Sequence, residues 1–278
     1  LEFRRVLFRS GTNTIQQVPL TPVKRQNAIA TINAKADEQK RLIQANNNAT
    51  TEEKADAERK VNEAVITANQ NITNATTNRD VDQAQTTGSG IISDISPATK
   101  IKEDARAAVE AKAIAQNQQI NSNNMATTEE KEDALNQVEA HKQAAIATIN
   151  QAQSTQQVSE AKNNGINTIN QDQPNAVKKN NTKIILEQKG NEKKSAIAQT
   201  PDATTEEKQE AVSAVSQAVT NGITHINQAN SNDDVDQELS NAEQIITQTN
   251  VNVQKKPQAR QALIAKTNER QSTINTDN

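Results

Sequence analysis

The chain has no cysteine, no tryptophan and no tyrosine, and its two phenylalanines, Phe3 and Phe8, both fall within the first ten of 278 residues. Without cysteine there is no disulfide framework and no thiolate metal site. Without rings beyond Phe8 there is little to wall a pocket or to fill the core of a large globular enzyme. Any core must be built from Ala, Val, Ile and Leu, thinly spread in a chain that is only 33% hydrophobic. An excess of one charge is missing too: 31 basic and 34 acidic residues are mixed along the chain, for a net charge of −3. A nucleic-acid footprint would need a basic face. No apolar run approaches the roughly 18 residues of a membrane span. Such a composition suits thin helical bundles or, alternatively, a disordered tether.

The first ten residues stand apart. Residues 1–10, LEFRRVLFRS, carry the only aromatics and a local positive charge from Arg4, Arg5 and Arg9. There is no initiator Met, and the apolar stretch is too short for a signal peptide. The segment reads as adapter- or vector-derived sequence and residues 11–20 as a linker. On this reading the chain is a fragment, and no secretion or anchoring signal is expected within it.

What is abundant is repetition, and it outranks every other signal. The string ATTEEK occurs at Ala49–Lys54, Ala126–Lys131 and Ala203–Lys208, 77 residues apart both times. The same offset aligns three units, 21–97, 98–174 and 175–251, and leaves 252–278 as the first helix of a truncated fourth.

Each unit holds three helical patterns. The first stripe is Ala28, Ile32, Ala36 and Ile43. Its copies are Ala105, Val109, Ala113 and Ile120, then Thr182, Leu186, Gly190 and Ile197, then Ala259, Leu263, Thr267 and Ile274. This spacing places the four residues on one helical face. The second helix opens with a capping box, Thr50-x-x-Glu53, repeated at Thr127/Glu130 and Thr204/Glu207. Its stripe is Ala57, Val61, Val65, Ala68 and Ile72. Lys142 interrupts the second copy, where its aliphatic stem can snorkel outward.

The third helix is shorter, with Thr77, Ser154 and Ser231 as candidate N-caps. Its stripes are Val81, Gly88, Ile92, then Val158, Gly165, Ile169, then Val235, Ala242, Ile246. A glycine there costs about 1 kcal/mol against Ala, so it marks either a close helix approach or a weak helix. Gly88-Ser89-Gly90 reads as a short turn or flexible point. Pro97 and Pro174 suit the first turn of the next unit's helix, and Val251 in the same place lets that junction run on as one helix.

Together these patterns predict an all-α fold. It consists of tandem up-down-up three-helix bundles of 77 residues, joined with little linker into an elongated rod.

No motif carries chemistry. His141 and His225 are not one period apart, so no metal site repeats, and each reads as a solvated helix-face residue. There is no phosphate loop, nucleophile elbow or dinucleotide fingerprint. No catalytic, cofactor-binding or metal residue is assigned, and no enzyme is expected.

The segments TTEEKADAERKVNEAVITANQNI and TTEEKEDALNQVEAHKQAAIATIN resemble the alanine- and asparagine-rich helical repeats of staphylococcal cell-wall surface proteins. These repeats are of the extracellular matrix-binding protein homologue and methicillin-resistance-associated surface protein type, and the resemblance covers residues 21–278. It implies a secreted, wall- or membrane-anchored protein whose anchor lies outside this segment. It also links the repeats to adhesion, aggregation, biofilm formation or envelope integrity. The expectation is a monomeric stalk or spacer without cofactor. Direct binding of a matrix protein or neighbouring surface is the first alternative, and an intracellular helical scaffold the second.

Overall fold

A computed structural model describes residues 22–276. The predicted tail 1–10, linker 11–20 and the last two residues lie outside it. Among the described residues there are ten helices and no strand. The first repeat has α1 (Pro22–Ala45), α2 (Thr51–Asn74) and α3 (Asn78–Asp94). The second has α4 (Lys100–Asn121), α5 (Thr128–Gln151) and α6 (Thr155–Gln171). The third has α7 (Lys178–Ala198), α8 (Thr205–Gln228) and α9 (Asn232–Gln248), and α10 (Lys255–Thr276) follows alone. The chain is thus all-α, in tandem three-helix repeats.

Its contacts divide into two compact units. One runs through Ala113 and takes in His141–Thr168; the other comprises Ile114–Ala140 and the chain from Ile169 onward. The division falls inside α4, α5 and α6, so each end of the middle repeat belongs to a different unit.

In the first unit, α1, α2 and α3 pack pairwise around Ala28, Ile32, Ala36, Ile43, Val61, Ile72, Val81 and Ile92. In the second, α7, α8 and α9 do the same around Leu186, Ile197, Val215, Ile226, Val235 and Ile246. The middle repeat buries the same registers, among them Val109, Ile120, Val138, Ile149 and Ile169. Val65, Lys142 and Val219, one period apart, are half-buried at the edge. Each core is a narrow column of branched residues alternating with alanine, which explains how 33% hydrophobic residues suffice.

The helix starts are strongly specified. At α2 the Thr50 hydroxyl accepts from the Glu53 N–H (3.3 Å), and the Glu53 carboxylate accepts from the Thr50 N–H (2.9 Å). The third helices repeat the device: Thr77 with Asp80, Ser154 with Gln157, and Ser231 with Asp234 are all reciprocal boxes.

Three sequence expectations are corrected. Gly88-Ser89-Gly90 is not a turn: it lies inside α3, and Gly88 sits so close to α2 that a Cβ there would stand 2.5 Å from the Ala68 Cβ. The close-approach reading therefore holds at Gly88. Pro97 and Pro174 lie in the non-helical links, before α4 and α7 begin. The link containing Val251 does not continue α9 either, because residues 249–254 are non-helical. There Val251 packs against the third core, and the Glu207 carboxylate accepts from the N–H groups of Gln254 and Lys255, which starts α10 afresh.

Candidate functional site at the repeat junctions

His225 is more than half exposed and its Nδ1 lies 3.3 Å from Glu238 Oε2, in a shallow groove at the α8–α9 turn lined also by Gln228, Asn230, Asp234 and Gln237. His141 lies a different distance along its helix and is half-buried. Among the described residues no group of three or more His, Cys, Asp or Glu could hold a metal ion. None of their helices is long and apolar enough to cross a membrane.

The most organised polar structure lies where one repeat meets the next, and ATTEEK builds it. The junction between the first two repeats falls wholly in the first unit. Each residue of Thr51–Lys54 has a distinct bond there. The Thr51 N–H donates to the Gln153 carbonyl of the α5–α6 loop (2.8 Å). Glu52 accepts from the Thr155 N–H (2.9 Å) and hydroxyl (3.0 Å) at the start of α6. Glu53 uses one oxygen for its own cap and the other to accept from the Ile101 N–H (3.1 Å) at the start of α4. Lys54 turns back and donates to the Gln44 carbonyl (2.8 Å), an orphan acceptor at the end of α1.

The junction in the second unit repeats this one period later. Thr128 N–H donates to the Asn230 carbonyl (2.8 Å), and Glu129 accepts from Asn232 N–H (2.9 Å). Glu130 accepts from the N–H groups of Val177 (2.9 Å) and Lys178 (2.8 Å), while Lys131 donates to the Asn121 carbonyl (3.1 Å). A carboxylate facing free N–H groups at a helix start gains both hydrogen bonds and the helix dipole.

The acidities agree. The Thr155 N–H, followed by its own backbone N–H, holds Glu52 down at about 2, and the N–H groups of Thr204, Lys255 and Gln254 do the same to Glu207. For Glu130, burial raises the carboxyl, but the N–H groups of Thr127, Lys178 and Val177 outweigh it and the net direction is downward.

From the other side each junction receives a lysine. Lys102, on α4, is only 1% exposed, and its Nζ donates to the Asn47 carbonyl of the preceding repeat and the Asn150 carbonyl at the end of α5, both at 2.8 Å. Lys179, on α7, donates to the Asn124 (2.9 Å) and Asn227 (3.0 Å) carbonyls. Burial pushes both ammonium groups below the ordinary lysine range. Two backbone carbonyls and the negative end of a helix compensate the charge.

Sequence reading missed this pair. The signal was available: Lys102 and Lys179 extend the apolar stripe one turn before Ala105 and Thr182, and Arg25 and Lys256 occupy the same register in the other copies. The dual duty of the capping-box glutamates had no comparable signal, because a capping box accounts for Thr-x-x-Glu on its own.

The strict period also governs the likeness to known proteins. The family described as "Domain of Unknown Function (DUF1542)" matches residues 24–100, 101–177 and 178–254. The chain belongs to the DUF1542 family. Similar proteins include "Extracellular matrix-binding protein ebh" of Staphylococcus aureus (strain MRSA252), 32% identical over 127 residues, covering 46% of this chain and 1% of that protein. "Extracellular matrix-binding protein EbhA" of Staphylococcus aureus (strain Mu3 / ATCC 700698) is 24% identical over 274 residues, covering 96% of this chain and 4% of its own length. The ebh protein of strain JH9 matches the same 96% of this chain at 24% identity, over 2% of its length. The chain therefore spans only a few per cent of these relatives. No solved structure matches.

Each matched DUF1542 copy begins in the first turn of the first helix of a repeat. The signature ATTEEK lies in mid-copy and reaches from there into the copy that follows.

Proposed function

We propose that these DUF1542 repeats are the stalk of a bacterial cell-surface adhesin, a spacer that carries other parts of the protein away from the cell wall. The supporting observation is the bonded junction, formed twice with equivalent partners. A spacer needs each module to be joined to the next in a fixed manner, and these links spend the most restrictive polar residues of the repeat on that joint. The extended rod is part of the proposal, as are wall anchoring outside this segment and a contribution to adhesion, aggregation, biofilm formation or envelope integrity. The reading involves no enzyme chemistry and no cofactor.

A second reading has one observation in its favour: the similar Staphylococcus aureus proteins are named for binding extracellular matrix. On that reading the repeats hold a matrix protein or a neighbouring surface directly. The exposed apolar residues weigh against a site in each repeat. Leu42, Ile66 and Ile114 are exposed, but one period on or back their places hold Gln119, Gln143 and Asp37. Interface anchors are also usually Trp, Tyr or Arg, and the first two are absent from the chain.

Small-angle X-ray scattering of the full chain, with solid-phase binding to matrix proteins, tests the proposal. A rod profile with no saturable binding is expected. A random-coil profile, or saturable binding abolished by a single surface substitution, overturns it.

A further inference from the structure

We infer that Lys102 and Lys179 are positioning residues that make each DUF1542 junction a recognition surface for one kind of partner, another repeat end with a cation at this register. The inference rests on the stalk reading only in giving that surface a purpose. The surface has two complementary halves. The trailing end of a repeat offers a loop carbonyl (Asn47) and the carboxylates of Glu52 and Glu53. The leading end of the next offers the ammonium of Lys102 and the N–H groups of Ile101 and Thr155.

The lysine gives this pairing its selectivity. A leading end docked in the wrong register leaves an ammonium buried without its second carbonyl, and a buried unpaired charge is strongly penalised. Rejection by such a penalty is a common source of specificity. The carboxylates alone do not discriminate as sharply, because they are exposed or only half-buried and water reaches them when the partner is missing.

Two observations within the chain support the assignment. The lysine makes the same two-carbonyl bridge in both complete junctions, with partners exactly conserved in register: Asn47 and Asn124 in one set, Asn150 and Asn227 in the other. At the third copy, Lys256 holds the same register on α10; among the described residues no second helix follows α10 to supply the other carbonyl, and Lys256 is exposed. The ammonium is buried only where both carbonyls are present.

The test uses the full chain, whose lack of cysteine allows clean labelling. Spin labels at Asn62→Cys on α2 and Glu110→Cys on α4, both exposed positions, report the distance across the first junction by electron–electron double resonance. The parent chain is expected to give one narrow distance distribution. Lys102→Met is expected to broaden it at least twofold with helical circular dichroism unchanged, and Lys102→Arg, the residue type at register 25, to restore most of the narrowness. Glu52→Gln probes the opposite half without touching the lysine and is expected to broaden the distribution less. A broad distribution in the parent, or no broadening in either Lys102→Met or Glu52→Gln, overturns the inference. Should Lys102→Met lose helix content, Glu52→Gln decides. Saturable ligand binding by the repeats would sink the stalk reading while leaving these distances narrow, so the two failures are distinguishable.

Discussion

Helices α7 and α10 carry the same stripe one period apart, yet Leu186 on α7 is fully buried whereas Leu263 on α10 is 69% exposed. The sequences are equally patterned. The difference is that α8 and α9 cover α7, while among the described residues no such pair follows α10. Helix formation is therefore settled locally, by propensity and by the Glu207 cap that starts α10, while the core belongs to three helices at once. The junctions show the same contrast. The first two close on both the first and third helices of the following repeat, whereas at the third, among the described residues, Glu207 and Asp202 reach across to the first helix alone.

The most direct way to break this comparison is to make one substitution at both places. Leu186→Ala removes a fully buried side chain from a small core and is expected to cost about 2–5 kcal/mol. Leu263→Ala, in the same register, is expected to stay within about 0.5 kcal/mol. Urea unfolding followed by circular dichroism measures both. Equal effects would mean that the stripe on α10 is buried after all.

The glycines sharpen the same lesson inside one bundle. Gly88 faces Ala68 and Gly165 faces Ala145, but in the third repeat the sizes are exchanged and Gly222 faces Ala242. Each α-helix pair thus keeps one methyl at this crossing, on either side. Gly88→Ala gains about 1 kcal/mol of helix propensity but forces a second methyl into a crossing that has no room. The net expectation is a loss of up to about 2 kcal/mol, since overpacking typically costs 1–3. The double variant Ala68→Gly/Gly88→Ala copies the third repeat and should recover most of that loss in a double-mutant cycle. Gly90, only two residues away, meets nothing within 4 Å. Gly90→Ala should therefore stabilise by about 0.5–1 kcal/mol, and thermal melts separate the two signs.

These cases also mark how far the sequence could be read. The stripes of Ile32, Val61 and Val81 were legible because burial repeats at helical spacing, and ATTEEK was legible because it recurs unchanged. Gly88 was ambiguous: glycine signals a turn or a close approach equally well until the facing residue is known. Lys102 was overlooked because a lysine reads as solvated surface, and only its two carbonyl partners, 55 and 48 residues away, reverse that reading. What failed to show was long-range and polar. Local periodicity reports which face is buried, not which backbone carbonyl stands opposite.

Acid should separate the junctions from the bundles they join. Glu52 and Glu207 are held at about 2 in the folded chain against an ordinary 4.5, by N–H donors that the unfolded chain does not present. A carboxyl with a depressed folded pKa contributes stability that is fully present above its unfolded value and is lost as pH falls toward the folded one. The urea midpoint should therefore decline between about pH 4.5 and 2. Glu52→Gln should make that decline shallower, because one proton-linked carboxylate is gone, while Glu129, Glu130 and Glu207 maintain the rest. An unchanged slope would mean that the Glu52–Thr155 bonds do not persist in solution.

The smallest expected effect compares the outer repeats with the middle one. Lys24–Asp82 and Lys178–Asp236 are equivalent ion pairs at 2.7 Å between the first and third helices of their bundles. The middle repeat has Ile101 and Ser159 in these places and forms its helices without the pair. The pairs are partly exposed, and such pairs contribute about 0.2–1 kcal/mol at most. Asp236→Asn should accordingly lower stability by that amount at low salt and by nothing measurable near 1 M, where screening is nearly complete. Ser159→Asn should do nothing at either salt concentration. A loss at Asp236 that survives high salt would point to packing rather than charge, and would make the outer repeats different from the middle one in their cores as well as on their surfaces.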